Sequence, residues 1–233
     1  MPLENHTRMT PMTNTPTSTD YPSTSAGPTL RPAVARTAND LQFAILRSPN
    51  HAQSAQARAT LANLRKYASV PLNDQPLALE EVLLSLHPPL SEKELGRGDA
   101  PSASESAAFH ALVMFGIHMQ SATTDAHVEG QSFARACGRF FAQSESQSTK
   151  PRFDAMLVSR DEASRLIHIR SLITLLRGAK IGFDYGQFAQ DLRTLSARTS
   201  TQADQNRRQG VLLRWGRDFA TGAFTKSTKT SES

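Results

Sequence analysis

Seven histidines, one cysteine and a set of arginines in the C-terminal third are the side chains of this 233-residue sequence whose types and spacing could do chemistry. His110 and His118 share the segment "ESAAFHALVMFGIHMQ", which suits a helix. Eight residues of helix hold them about 12 Å apart, too far to share one metal ion, so both read as core or edge histidines. His168, two residues before Arg170, reads either as a local hydrogen-bonding group or as part of a basic surface. Cys137 stands alone in "ARACGRF", which excludes an internal disulfide and a thiolate zinc site. It reads as a small apolar helix residue. No metal and no cofactor is expected.

Asp184 and Tyr185 in "FDYGQF" put an acid beside a phenol. Capping geometry accounts for Asp184, because an aspartate just before a helix accepts the free amides of the first turn. The sequence shows no carboxylate pair, Ser/His/Asp set, phosphate-cradling glycine loop or Walker-type lysine, and "GRG" at 96–98 lacks a strand-to-helix context. A non-catalytic protein is expected.

The arginines carry the stronger signal. Between Lys150 and Lys226 there are 14 basic and 7 acidic residues, net +7, while the rest of the chain is net −2. Arg170 and Arg177 are seven residues apart, so they share one helix face to within about 20°, off the leucine/isoleucine stripe and pointing outward. Arg207, Arg214 and Arg217 do something similar beside Leu212, Trp215 and Phe219. A guanidinium fork suits phosphate, but a run of arginines is also what a solvated helix face looks like. Composition leaves both readings open. Trp215 reads as a core anchor rather than a base-stacking platform, since its helix otherwise lacks bulk.

These residues need helices to position them. Residues 1–32 hold 17 Ser, Thr or Pro and no helical or strand period, which predicts a disordered tail over 1–36. Two helical-bundle lobes follow, at 37–142 and 151–225, joined by the polar linker 143–150, with a frayed end at 226–233. In the first lobe Asn39 or Asp40 caps a short helix, and a second helix places Ala57, Leu61, Leu64 and Ala68 on one face with Arg58 and Arg65 beside it. "ESAAFHALVMFGIHMQ" is apolar nearly all round and reads as the lobe's central helix. In the second lobe Ser159 with Glu162, and Asp184 with Gln187, have capping-box spacing, and Phe183 with Phe188 has that of a hydrophobic staple. A third helix runs through "DQNRRQGVLLRWGRDFA". No segment alternates as a half-buried strand does, so the chain is expected to be all-α. The absence of a signal peptide or a long apolar run predicts a soluble, cytoplasmic protein without membrane contact.

Several stretches in order, "KPRFDAMLVS", "LIHIRSLITLLRGAKIGFDYGQFAQDL" and "VLLRWGRDFA", with "ARATLANLRK" and "FHALVMFGIHMQ" upstream, resemble the CasB-type small subunit of the type I-E CRISPR surveillance complex, Cascade. The resemblance covers roughly 38–222. It implies a two-lobed, all-helical, non-catalytic subunit in antiviral defence, packed head to tail with a second copy beside the backbone and large subunits. It also implies contact with crRNA and target DNA, chiefly the displaced non-target strand. Carried onto this sequence, the implied contacts are Arg58, Arg65 and Lys66, then Arg152 and Arg170, then Arg214. Arg177, Arg207 and Arg208 join the candidate set, the last two because the final helix reads "VLLRW" where the family often has a longer arginine run. The alternative is a helical adaptor that binds only protein, its arginines meeting acidic partner surfaces.

Overall fold

The computed structural model describes residues 29–224 except 49, 70, 75, 145–147 and 199. Residues 1–28 of the tail expected at 1–36, the end expected at 226–233 and the middle of the expected linker lie outside the described residues. Within them the chain is all-α, with nine helices: α1 Leu30–Leu46, α2 His51–Lys66, α3 Pro76–Ser85, α4 Ala103–His118, α5 Phe133–Gln143, α6 Thr149–Val158, α7 Glu162–Gly178, α8 Tyr185–Ser196 and α9 Gln202–Phe224. The only β feature among the described residues is an isolated bridge between His127 and Phe183.

Local chemistry explains most helix ends and corrects three expectations. α1 starts at Leu30, inside the stretch assigned to the tail, so Asn39 and Asp40 are mid-helix rather than caps. Thr29 is the extended residue before it, and Pro32 sits in the first turn, where its missing N–H costs no helical hydrogen bond. α7 is capped by Asp161, which accepts from the Ser164 amide at 2.7 Å, so the expected Ser159/Glu162 box does not form. Ser159 instead donates back to the Ala155 carbonyl at 2.7 Å. Asp184 does cap α8, accepting from the Gln187 amide at 2.9 Å, and Phe183 and Phe188 meet at 5.4 Å as the staple requires. The reciprocal half of that box is missing because the Gln187 amide turns to Asp191, at 2.8 Å. A full capping box does form at α4, between Ser102 and Glu105.

The packing crosses the sequence boundary at 143–150. One bundle is built from α1, α2, α3, α4 and α8, the other from α5, α6, α7 and α9. Each bundle therefore takes one helix from the other half of the sequence. α4 is the axis of the first bundle and is buried from Ala107 to His118 apart from half-buried His110, as its all-round apolar sequence demands. α5 and α9 approach so closely that a Cβ on Gly138 would overlap the Phe219 carbonyl, and one on Gly222 the Arg135 carbonyl. Here glycine is required for backbone contact rather than for backbone freedom.

One hydrophobic core joins the two bundles. Phe133 of α5 lies 5.1 Å from Phe183, 5.1 Å from Phe188 and 5.6 Å from Trp215 of α9, so one ring touches both. Trp215 is buried and donates its Nε1–H to Asp191 at 2.7 Å, which makes it a core anchor.

Candidate nucleic-acid interface

Arg170 and Arg177 do share a face of α7, and that face borders the other bundle at the edge of the solvent. Arg170 Nη1 donates to the Ala68 carbonyl at 3.0 Å and to Ser69 Oγ at 3.4 Å, in the 3-10 turn that ends α2. Arg177 Nη1 donates to Gln120 Oε1 at 2.6 Å and reaches the Ile117 carbonyl in the last turn of α4 at 3.5 Å. Arg170 is exposed as expected, while Arg177 is half-buried against the end of α4. A cation is favoured at such a place because the last carbonyls of a helix carry partial negative charge. Each guanidinium has five N–H donors, and Arg170 remains exposed while Arg177 is half-buried. Both can hold an anion while they hold the junction.

α2 adds to this junction from its own end. Arg65 packs its stem beside Gly116 of α4, with Cγ 3.5 Å from where a Cβ there would stand, and its guanidinium has no hydrogen-bond partner among the described residues. Lys66 is exposed and bonds only the Asn63 amide oxygen, at 3.1 Å. Arg58 lies two turns earlier, exposed, with only the Ser54 hydroxyl, at 3.3 Å. Arg170 thus meets the turn that follows Arg65 and Lys66, and Arg177 meets the last turn of α4 just beyond Gly116, beside which Arg65 packs. Among the described residues none of the four is paired with a carboxylate.

The remaining candidates behave differently. Arg214 pairs with buried Asp191, which also accepts from Gln187 and Trp215. Burial pushes the Asp191 carboxyl up from its ordinary value, and Arg214 and these hydrogen bonds only partly pull it back. Arg207 pairs with Asp204 at the start of α9. Arg208 donates to the Leu195 carbonyl at 2.8 Å, closing the end of α8. Arg152 stays on α6, bonded to the Ser148 carbonyl one turn back at 3.3 Å. Arg208 and Arg214 therefore bind α8 to α9, while Arg207 and Arg214 have their charge offset by an aspartate.

Asp184, the most enzyme-like residue of the sequence, is buried and also receives Arg31 Nη2 at 3.3 Å and the Gly130 amide at 3.1 Å. It ties α1, the 127–131 loop and α8 to one carboxylate. His118 is buried with Nδ1 3.0 Å from the Tyr185 hydroxyl, and burial lowers both His110 and His118 to about 4. Cys137 is fully buried, and burial pushes its thiol up, away from a nucleophilic thiolate. No group of three or more potential metal ligands occurs among the described residues. Sequence reasoning missed Lys180, which lines a cavity with Arg177 and Gln120. Its only signal was its place two residues after Gly178 at the close of α7.

A family model described as CRISPR-associated protein Cse2 matches residues 60–219. Among solved structures, CasB from Thermobifida fusca superposes with a TM-score of 0.61 at 25% identity, over 82% of this chain and 97% of that one. TTHB189, a Cse2 family protein from Thermus thermophilus, superposes with a TM-score of 0.54 at 19% identity over the same shares, and shows likeness of fold. No curated protein matches. The family match spans well over half of the sequence and includes α4, α7, α8 and most of α9. With the all-helical fold shared with both solved relatives, it establishes that this chain belongs to the CRISPR-associated Cse2 family, the CasB-type small subunits that its sequence resembles.

Proposed function

We propose that this chain is the non-catalytic small subunit of a type I-E Cascade complex, working in the cytoplasm, and that it holds nucleic acid on the basic junction between its bundles. The bound group is the sugar-phosphate backbone of the displaced non-target strand or of the crRNA–target hybrid. The observation that carries this reading is that Arg65, Lys66, Arg170 and Arg177, from α2 and α7, border the ends of α2 and α4 with neutral acceptors or, for Arg65, no partner among the described residues. Hydrogen bonds to carbonyls and amides orient these cations without cancelling their charge, so the field they project remains available to phosphate. Arg58 extends the surface along α2, while Arg152 and Arg208 supply further cations that form no ion pair among the described residues.

The role is physically economical. Exchanging a DNA duplex for an RNA–DNA hybrid is nearly balanced in free energy, so a few backbone contacts tip it. Contacts of this kind carry no base information, and binding should be nearly independent of sequence. If about five phosphates of a single strand are neutralised, log affinity should fall against log salt with a slope of roughly −3.5.

The partners in this reading are the backbone and large subunits and a second copy packed head to tail. A separate observation supports protein contacts: Leu77 and Leu84, seven residues apart on α3, are more than three-quarters exposed, and Val158, Ile167 and Phe224 are similarly open. Large apolar side chains left in water are what subunit interfaces cover.

Charge reversal at Arg58, Arg65 and Lys66 separates this reading from a protein-only adaptor. Among the described residues these three make no hydrogen bond or ion pair between helices, so the variant should keep its melting temperature and its place in the complex while single-stranded DNA binding weakens at least tenfold and its salt slope flattens. Reversal at Arg170 or Arg177 should lower stability as well, because each also anchors the junction. Unchanged DNA binding by the α2 variant, measured by fluorescence anisotropy across a salt series, would favour the adaptor.

A further inference from the structure

A cavity of about 270 Å³ opens between the C-terminal ends of α4 and α7. Arg177 and Lys180 line it together with Gln120, Ser121, Thr123 and Thr124. Its charge balance is positive. The one carboxylate among its lining residues, Asp125, is held by both terminal nitrogens of Arg47, with Nη1 to Oδ1 at 2.7 Å, and that pairing keeps the Asp125 carboxyl below its ordinary value. Lys180 has neither an ion pair nor a hydrogen bond from its ammonium among the described residues, and the hydroxyls of Ser121, Thr123 and Thr124 are equally without partners.

Two helix C-termini would ordinarily repel an anion. Here amides of the chain that follows each helix already occupy several of the last carbonyls. In α7 those of Leu175, Leu176 and Arg177 accept the amides of Ala179, Ile181 and Lys180, and at the end of α4 those of Phe115, Ile117 and Met119 accept from Met119, Gln120 and Ala122. The Arg177 and Lys180 cations offset the remaining helix-end charge.

The backbone adds an independent clue. Lys180 has φ 58° and occupies the residue after the α7 C-cap, where the chain reverses and where glycine, free of a Cβ penalty, is the usual choice. Ser121, on the same cavity, has φ 57°. A lysine kept in a left-handed turn, with its ammonium unpaired at the mouth of a polar cavity, is a local destabilisation placed where a cation can serve.

We infer that this cavity is a phosphate-binding subsite, with Lys180 and Arg177 as its cations and the Ser121, Thr123 and Thr124 hydroxyls as neutral donors. The inference rests on the nucleic-acid reading above and extends its surface beyond Arg177 to the far side of the α4 end. The phosphate comes from a bound strand, and free phosphate is the competing source of the same chemistry.

Lys180→Gly and Lys180→Asn, each compatible with the left-handed turn, test the subsite in the full chain. Both should fold, and Lys180→Gly should melt at the same temperature as the unaltered protein or higher. Both should weaken single-stranded DNA binding several-fold at low salt and flatten the salt slope by about 0.7, the share of one phosphate. Unchanged affinity and slope in both variants, with the Arg58/Arg65/Lys66 reversal still weakening binding, overturns the subsite and leaves the nucleic-acid reading standing. Failure of the unaltered chain to bind single-stranded DNA, alone and in its assembled complex, overturns both. Melting in inorganic phosphate against chloride at matched ionic strength separates the sources. A rise in the unaltered protein that Lys180→Asn abolishes, with equal strand binding by the two, assigns the cavity to free phosphate and overturns the strand phosphate.

Discussion

For a single charged residue, partners decide what the side chain is for. Arg214 and Arg65 have the same chemistry, yet Arg214 is paired with a buried aspartate while Arg65 has no partner among the described residues. Asp191 is the centre of the first arrangement, since one carboxylate accepts from Arg214, Trp215 and Gln187. Asp191→Ala would leave a buried indole N–H unsatisfied and Arg214 unpaired. The expected loss is about 2–4 kcal/mol, measured by urea unfolding, and Asp191→Asn should lose less because it keeps one acceptor. An Arg214 variant that binds DNA poorly would therefore report on α8–α9 packing before it reported on phosphate.

Among the helices, the α5–α9 pair is the most constrained crossing. Gly138 and Gly222 sit where each helix meets the other's backbone, and neither backbone can withdraw without moving Phe133, Trp215 or Phe219. Gly138→Ala and Gly222→Ala should each cost at least 1–3 kcal/mol, about the range for overpacking. A thermal melt checks this, with Gly210→Ala on the open side of α9, where an added methyl meets nothing, as a control expected to be neutral or stabilising. Helix stripes, the Asp184 cap and the Phe183–Phe188 staple were legible in the sequence, because each is written within one or two turns. The start of α1 was not, since the polar composition up to residue 32 outweighed the single cue of Thr29 followed by Pro32.

Across the whole molecule, two bundles share one core, and acid should undo it through one buried and one half-buried histidine. His110 and His118 stand at about 4 in the folded protein against 6.5 for the free side chain, in both cases because burial disfavours the charged ring. Between those values the unfolded chain binds protons that the folded chain refuses. Stability is therefore fully present above pH 6.5 and falls as the pH drops toward 4, with each unit of depression worth about 1.4 kcal/mol. Urea unfolding at a series of pH values should show this fall, and His118→Gln should reduce its steepness. His118 couples the effect to the junction, because it stacks on Phe183 and contacts the Tyr185 hydroxyl at the foot of α8.

The all-α class, the faces that each helix buries, the concentration of positive charge after residue 150 and the family were all readable from the amino-acid order alone. Each depends on periodicity, composition or short motifs, which act within a few turns of chain. It took the packed fold to show that α5 and α8 exchange bundles, that Arg170 and Arg177 face the ends of α2 and α4, and which arginines keep their charge. A seven-residue spacing says that two side chains share a face, but what that face meets is set by helices tens of residues away. Arg170 and Arg214 looked alike in sequence. They separate because one meets a carbonyl at the close of a helix and the other a buried carboxylate.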